Sequence, residues 1–338
     1  MPETAGTSDA GALEAPADEG VVIDAEAPLL AVEPTLAGAA MPTVGGVTVE
    51  KARSKRLGVM GWLAVIWMVL VVLMAVAPGI FPVPDLTERS REAIVARNFG
   101  PQSGHWLGVD NSGYDMASKV VYGTRASMTV AAGGVTFALV VGGFLGLIAG
   151  YFRGRLDTFI TGAFNVMLAM PALILALTLA TVFATGDNVS YARRVVIVML
   201  AIGIVSVPII GRIARANTLS WAEREFVLAA RLLGTKTPRI LWRDVLPNVA
   251  PAMFSIALLG VGVAIVAEGG LALLGVGVPA SIDSPSWGNL VATLRSQLFL
   301  GRPWGVFAPS VAIFLTILSL NYLGDVVRAR FDVRESVL

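Results

Sequence analysis

The sequence predicts an all-α polytopic membrane protein with six transmembrane helices. Apolar residues make up 55% of the 338 residues and charged residues only 14%, whereas soluble domains carry about a quarter charged residues. The apolar residues are concentrated in six runs, about as long as a helix that crosses a bilayer. The chain has no cysteine and one histidine, His105, which argues against thiolate chemistry, a metal site of several histidines and a catalytic centre that needs them.

The six runs follow an acidic tail. Residues 1–50 contain nine Asp or Glu and neither Lys nor Arg, a composition that predicts disorder because it buries too little apolar surface. The runs lie near residues 57–78, 128–150, 159–184, 195–211, 250–277 and 306–323. Pro171 and Pro208 lie inside two runs, where we expect them to bend the helices without ending them. Section 51–127 would hold the first helix and a long outer loop, and 128–335 the five-helix core.

The basic residues predict the orientation of the chain in a lipid bilayer. With the N-terminus inside the cell, 16 of the 25 Lys and Arg residues lie in cytoplasmic segments and nine in outer ones. Positive charge accumulates on the cytoplasmic side of membrane proteins. We therefore expect both termini inside. The net charge of +1 gives no indication of a nucleic-acid partner.

The second run contains four glycines at spacings of four or eight residues, Gly134, Gly142, Gly146 and Gly150. This spacing places them on one helix face, where a neighbouring backbone can approach closely. We interpret the face as packing within the chain, with a seam between subunits as the alternative.

The cytoplasmic segment 212–248 begins with a predicted short helix. Ser220 followed by Glu223 forms a capping-box pattern, and Gly234 suits the left-handed residue that ends a helix. The predicted helix is amphipathic. Its apolar face would consist of Phe226, Ala229, Ala230 and Leu233, and its charged residues Arg224, Glu225 and Arg231 fall largely elsewhere.

A second short helix follows in the same segment. Thr237 before Pro238 predicts its start, as a cap followed by a proline in the first turn, and Leu246-Pro247 would close it. Two short helices with an apolar face are shaped to fit a groove on a partner protein. The alternative is that they lie on the membrane or pack against the ends of their own helices.

The same segment resembles the coupling loop of ABC-importer permeases. Leu228-Ala229-Ala230, then Gly234, then Leu246-Pro247 is similar to that family's Glu-Ala-Ala…Gly…Leu-Pro pattern, with Leu228 in place of the glutamate. The resemblance implies a coupling helix that sits in a cleft of an ATP-hydrolysing subunit. The residues expected to contact the ATPase are Glu225, Phe226, Ala229, Ala230, Arg231, Gly234, Leu246 and Pro247.

Three further patterns resemble the C-type permease of dipeptide and oligopeptide importers. They are the outer-loop motif 107–115 with Asp110, Gly113 and Asp115, the pair of segments 268–279 and 285–288, and the ending 321–332. The resemblance spans about residues 57–335 and implies the ABC type I importer permease fold in a bacterial cytoplasmic membrane. The implied partners are a second homologous permease, two cytoplasmic ATPase subunits that bind ATP and magnesium, and an extracytoplasmic peptide-binding protein.

Three polar residues within the predicted membrane runs carry expectations. Glu268 is expected either to contact substrate or to be a buried structural carboxyl, since intramembrane ionisable groups are costly and often functional. Asn165 and Asn321 are expected to form hydrogen bonds between helices rather than touch substrate.

Four residues near the membrane surfaces also carry expectations. Trp287 is interpreted as an anchor at the membrane interface, with contact to a substrate-delivery protein as the alternative. His105 should be solvated in the outer loop. Asp325 and Arg328 are three residues apart and should form an ion pair on one helix face.

Other transport classes remain open at this point. The sequence contains no Gly-x-x-x-x-Gly-Lys-Ser/Thr loop for phosphate, so the chain is not expected to hydrolyse ATP or to bind a cofactor itself. Nickel, glutathione or another small solute could replace the peptide, since related permeases share these motifs. A gradient-driven secondary transporter is the rival of another class, but it predicts intramembrane charge relays that the runs nearly lack.

Overall fold

A computed structural model describes residues 58–96, 99–184, 190–279 and 285–331; the predicted tail 1–50 lies outside them. Within these ranges the chain forms α-helices joined by turns, and its only β contacts are isolated bridges in the outer loop. The helices are α1 (Val59–Val76), α2 (Arg91–Ala96), α3 (Met116–Phe152), α4 (Gly154–Ala169), α5 (Ala172–Ala184), α6 (Tyr191–Ala222), α7 (Glu225–Leu232), α8 (Thr237–Ile240), α9 (Leu246–Leu273), α10 (Trp287–Leu294), α11 (Ser296–Phe299) and α12 (Trp304–Phe331). The predicted all-α class is confirmed.

The candidate spans lie on the predicted runs and number five or six. Among the described residues, five helical stretches are long and apolar enough to cross a membrane, and they contain α1, α3, α6, α9 and α12. The pair α4 and α5 becomes a sixth span if its two bent halves are counted together. The predicted number of spans therefore depends on how this pair crosses the bilayer.

The two intramembrane prolines behave differently. Pro208 lies inside the continuous helix α6, as expected. The expectation for Pro171 is wrong, because α4 ends at Ala169 and α5 starts at Ala172, with an angle of 89° between them. Met170 has φ −88° and ψ 136°, the extended conformation that a following proline favours by clashing with the helical one.

Helix α3 begins at Met116, well before the apolar run that predicted it. Asp115 starts the helix by accepting a hydrogen bond from the backbone N–H of Ser118 at 2.7 Å. The first turns carry Lys119 and Arg125, so hydropathy alone does not mark them as helix. With 37 residues, α3 is about 55 Å long and exceeds the roughly 30 Å hydrocarbon core.

The glycine face of α3 packs against α6 in the same chain. A Cβ at Gly134 would come within 2.8 Å of the Met199 carbonyl oxygen, and one at Gly150 within 2.7 Å of the Arg215 carbonyl oxygen. At Gly146 it would meet the backbone of Gly211. Side chains at these positions would push the helices apart. The interpretation as packing within the chain is confirmed.

Candidate functional site

The segment between α6 and α9 starts later than the capping-box pattern predicts. Helix α6 continues to Ala222, so Ser220 lies inside it rather than at a helix start. Thr218 and Ala222 are buried, and this packing extends the helix past the predicted cap. Glu223 lies in the turn after α6, and its carboxylate accepts a hydrogen bond from Arg153 at 2.6 Å.

Gly234 is the left-handed residue that follows α7, as predicted. Gly234 has φ 75°, and its N–H donates to the Arg231 carbonyl at 3.0 Å. The N–H of Thr235 donates to the Ala230 carbonyl at 3.0 Å. These two bonds form a Schellman motif, which closes the last carbonyls of the helix and fixes the direction of the chain that leaves it.

The second short helix does not end where the sequence suggested. Thr237 is the first residue of α8 rather than its cap, and Lys236 precedes it without a side-chain capping bond. Leu246-Pro247 does not close the segment. A π-helical turn, Leu241–Val245, runs directly into α9, which begins at Leu246. Residues 237–245 therefore run without a break into α9, as part of one candidate membrane span.

The apolar face predicted for α7 is only partly correct. Val227 is buried and Ala230 packs partly against the core, so the inner face follows these two residues. Leu232 and Leu233 are 89% and 85% exposed, and they form an apolar tip at the end of α7. Of the residues expected to contact an ATPase, Glu225, Phe226, Ala229, Arg231, Gly234 and Pro247 are exposed, and Ala230 and Leu246 are half-buried.

Buried apolar side chains support the segment from beneath. Val227, Ile240, Val245 and Val249 are at most 1% exposed and belong to the main core. Close packing of this kind resists deformation. The exposed tip therefore stands on residues of the main core, between the end of α6 and the start of α9.

The outer-loop residues build the loop rather than face solvent. Asp110 is buried, and its Oδ1 accepts hydrogen bonds from the backbone N–H groups of Ser112 at 2.8 Å and Tyr114 at 2.9 Å. Its Oδ2 accepts from Lys119 at 2.5 Å. Gly113 has φ 84°, and a Cβ there would lie 2.7 Å from the Ile94 side chain.

His105 is not simply solvated, contrary to expectation. Its Nδ1 lies 2.8 Å from Oδ2 of Asp115, whose side chain is 1% exposed. Oδ1 of Asp115 accepts from the backbone and the hydroxyl of Ser118. One buried carboxylate thus joins the outer loop to the start of α3. Among the described residues, no cluster of His, Asp and Glu could hold a metal ion.

Trp287 is not an interface anchor, because it is 0% exposed. It begins α10, its indole N–H donates to the Val120 carbonyl at 2.9 Å, and its backbone N–H donates to Ser127 Oγ at 2.8 Å. Both acceptors lie on α3. Trp287 therefore fixes α10 against α3, a role that counting aromatic residues near a membrane surface does not reveal.

Glu268 lies beside this junction and is 1% exposed. Its Oε1 accepts a hydrogen bond from Ser286 Oγ at 2.7 Å, and Oε2 faces the backbone at Gly288, where a Cβ would overlap with it. Its described contacts join α9 to the start of α10.

The remaining predictions for polar residues have different outcomes. Asn165 accepts a hydrogen bond from Arg212 across α4 and α6 at 2.5 Å, as expected for an interhelical contact. Asn321 is exposed on α12, and the structure gives it no such bond within the described ranges. The described contacts also contain no ion pair between Asp325 and Arg328, so that prediction is wrong.

An ion pair that the sequence reasoning missed joins α4 to α6. Arg215 donates from Nε to Asp157 Oδ1 at 2.5 Å and from Nη2 to Oδ2 at 2.7 Å. Asp157 is an acidic residue at the start of an apolar run, next to Arg153 and Arg155. A single acidic residue in a basic segment is a sequence signal for an ion pair with an arginine, but the sequence does not identify which arginine.

Comparison with known proteins identifies the family. Residues 142–336 match the family described as "Binding-protein-dependent transport system inner membrane component". A solved methionine ABC transporter, MetNI, aligns with 63% of this chain and 97% of its own at 15% identity and a TM-score of 0.48, a likeness too weak to carry a conclusion.

Bacterial relatives cover most of the chain. The dipeptide transport system permease protein DppC of Alkalihalophilus pseudofirmus is 34% identical over 84% of this chain and 88% of its own length. The glutathione transport system permease protein GsiD of Pectobacterium atrosepticum is 34% identical over 70% and 74%. The di/tripeptide transport system permease protein DppC of Pseudomonas aeruginosa is 32% identical over 79% and 86%. The chain therefore belongs to the family of binding-protein-dependent transport system inner membrane components.

Proposed function

We propose that this chain is one permease subunit of an ATP-driven importer that moves dipeptides and oligopeptides across the bacterial cytoplasmic membrane. The names of its relatives support the substrate class, since two of them are dipeptide or di/tripeptide permeases. Glutathione, itself a small peptide, is the second candidate, because a glutathione permease is also 34% identical to this chain.

The chain works as a transport subunit, and the ATPase site belongs to partner subunits. Two cytoplasmic ATPase subunits hold ATP and magnesium, a second homologous permease completes the pathway, and an extracytoplasmic binding protein delivers the peptide. Both termini lie inside the cell, as the distribution of basic residues favours. A gradient-driven mechanism is disfavoured, because Glu268 is held by Ser286 and the described runs offer no chain of acids for a relay.

The exposed apolar tip of α7 is the observation that carries the proposed coupling. Leu232 and Leu233 project from a capped helix, and burying them in a cleft of an ATPase subunit would remove apolar surface from water. ATP binding would close the ATPase pair, displace α7, and move α6 and α9 with it. The pathway would then alternate between inward-facing and outward-facing states, biased by the nucleotide at a distant site.

Replacing Gly234 by valine tests this function. A Cβ at Gly234 meets no atom within 4 Å, so the substitution acts through backbone strain at φ 75° alone, about 1–2 kcal/mol. We expect G234V to reorient the α7 tip and to lower peptide uptake by about fivefold to thirtyfold, because strain of this size changes an equilibrium constant by about that factor. The assay is uptake of labelled di- and tripeptides by vesicles that contain the complete importer.

Gly301 provides the matched control. It has φ 71°, and its Cβ would also meet no atom within 4 Å, but it lies in the outer turn before α12. G301V should leave uptake near that of the parent protein. If G234V transports as well as G301V, or if no ATPase chain copurifies with the parent protein in mild detergent, the proposed coupling is wrong.

A further inference from the structure

We propose that the corner between α3 and α4 is a clamp that holds the proposed coupling segment, residues 212–248, with Arg153 as its positioning residue. The inference rests on the proposed function, because it adds a second route from α7 into the membrane domain. The clamp consists of three pairs, each with one residue at the corner and one in α6, in α7 or in the turn between them: Arg153 with Glu223, Tyr151 with Arg231, and Asp157 with Arg215.

The backbone at the corner points to a role for Arg153. Helix α3 ends at Phe152 and α4 begins at Gly154, so one residue makes the entire turn. Arg153 has φ 53° and ψ −166°, and it is the only non-glycine with positive φ in the described part of the chain. This conformation is costly for a residue with a Cβ and is often found at functional sites.

The three contacts cover the whole turn between α6 and α7. Arg153 Nη2 donates to Glu223 Oε1 at 2.6 Å. The Arg231 guanidinium carbon lies 4.7 Å from the centroid of the Tyr151 ring, within cation–π range. Arg215 makes its two bonds to Asp157 one turn into α4. The coupling segment is therefore held at its start and at the last turn of α7.

The clamp joins α7 to the α3–α4 corner through Arg231 and Tyr151, and it joins α4 to α6 through Asp157 and Arg215. Asn165 and Arg212 fasten α4 to α6 a second time, so α4 follows the corner as far as the break at Pro171. The Arg153–Glu223 pair is solvent-exposed, with side chains 48% and 66% accessible, and exposed pairs add little stability. Its contribution is therefore to fix the position of the segment, which a measurement of coupling detects and a melting curve does not.

The test uses the complete importer in vesicles and measures peptides transported per ATP hydrolysed. R153E and E223R each replace the pair by two like charges, and the double variant R153E/E223R restores opposite charges. R153G removes the side chain while easing the backbone, since glycine adopts positive φ readily. R155E is the matched control, because Arg155 is an exposed neighbour without an ion pair among the described residues.

We expect R153E, E223R and R153G each to lower the transport ratio by about threefold to fivefold, the effect of one exposed pair on a two-state equilibrium. The double variant should recover to within about twofold of the parent, and R155E should match the parent. The clamp is refuted if R153G and both single reversals keep the parental ratio, or if R155E lowers it equally. A parent complex whose ATP hydrolysis does not respond to peptide would instead refute the proposed function, and the clamp with it.

Discussion

The burial of Trp287 predicts that this one side chain contributes strongly to the stability of the junction between α10 and α3. Trp287 is fully buried, and its indole N–H donates to the Val120 carbonyl. Removing the whole ring in W287A should cost about 3–5 kcal/mol in the free energy of unfolding, as large core truncations do. W287F keeps most of the packing and loses the hydrogen bond. It should cost about 1–2 kcal/mol, because Val120 still accepts from the Thr124 hydroxyl at 2.9 Å.

The assay is unfolding of the purified protein in mild detergent with increasing denaturing detergent, followed by circular dichroism. Trp106 is the matched control, because it is 71% exposed, and W106A should change the unfolding free energy by no more than about 0.5 kcal/mol. A cost for W287A below about 1.5 kcal/mol, or equal costs for W287A and W287F, would refute the assigned role of the buried ring.

Two further predictions concern the helix seam and the outer loop. G146V should prevent close packing of α3 on α6 and lower the yield of folded protein severalfold, because its Cβ would lie 2.6 Å from the Ala214 Cβ; G162V, where no atom lies within 4 Å, should express normally. D115A removes the cap of α3 and the partner of His105, so it should destabilise the outer loop by about 1–3 kcal/mol. Limited proteolysis within residues 99–115 would measure this change, and H105A should show a smaller effect than D115A.

The sequence predicts the membrane helices well because lipid imposes a simple requirement. A span must be apolar and about 20 residues long, so the runs identify α1, α6, α9 and α12 almost directly. The outer turns of α3 escape this signal, because Lys119 bonds to Asp110 and the helix there packs on protein. Helix ends in such places follow tertiary contacts, which composition does not encode.

Local motifs fail where packing offers a better partner. Ser220 and Glu223 fit a capping box, but Glu223 bonds to Arg153, which lies 70 residues away in sequence. Tryptophan is a residue type typical of membrane interfaces, but Gly123 leaves room for the Trp287 ring against α3. Gly234 is predicted correctly because a left-handed helix end is decided by the backbone within one turn. Structural features that depend on nearby residues can therefore be predicted from the sequence, whereas features that depend on partners distant in sequence cannot.

Helix α9 physically connects the two ends of the molecule. At its inner end Pro247 has no N–H to donate to the preceding turn, and the π-helical turn Leu241–Val245 accommodates this without a loop. At its outer end Glu268 accepts a hydrogen bond from the Ser286 hydroxyl. The next residue is Trp287, whose backbone N–H donates to Ser127 on α3. The 28 residues of α9 span about 42 Å. Helix α9 is continuous over this length, with Pro251 inside it. Under the proposed coupling, a displacement at its inner end would therefore reach the outer junction through α9, and α3 would either follow it or lose its bonds to Trp287.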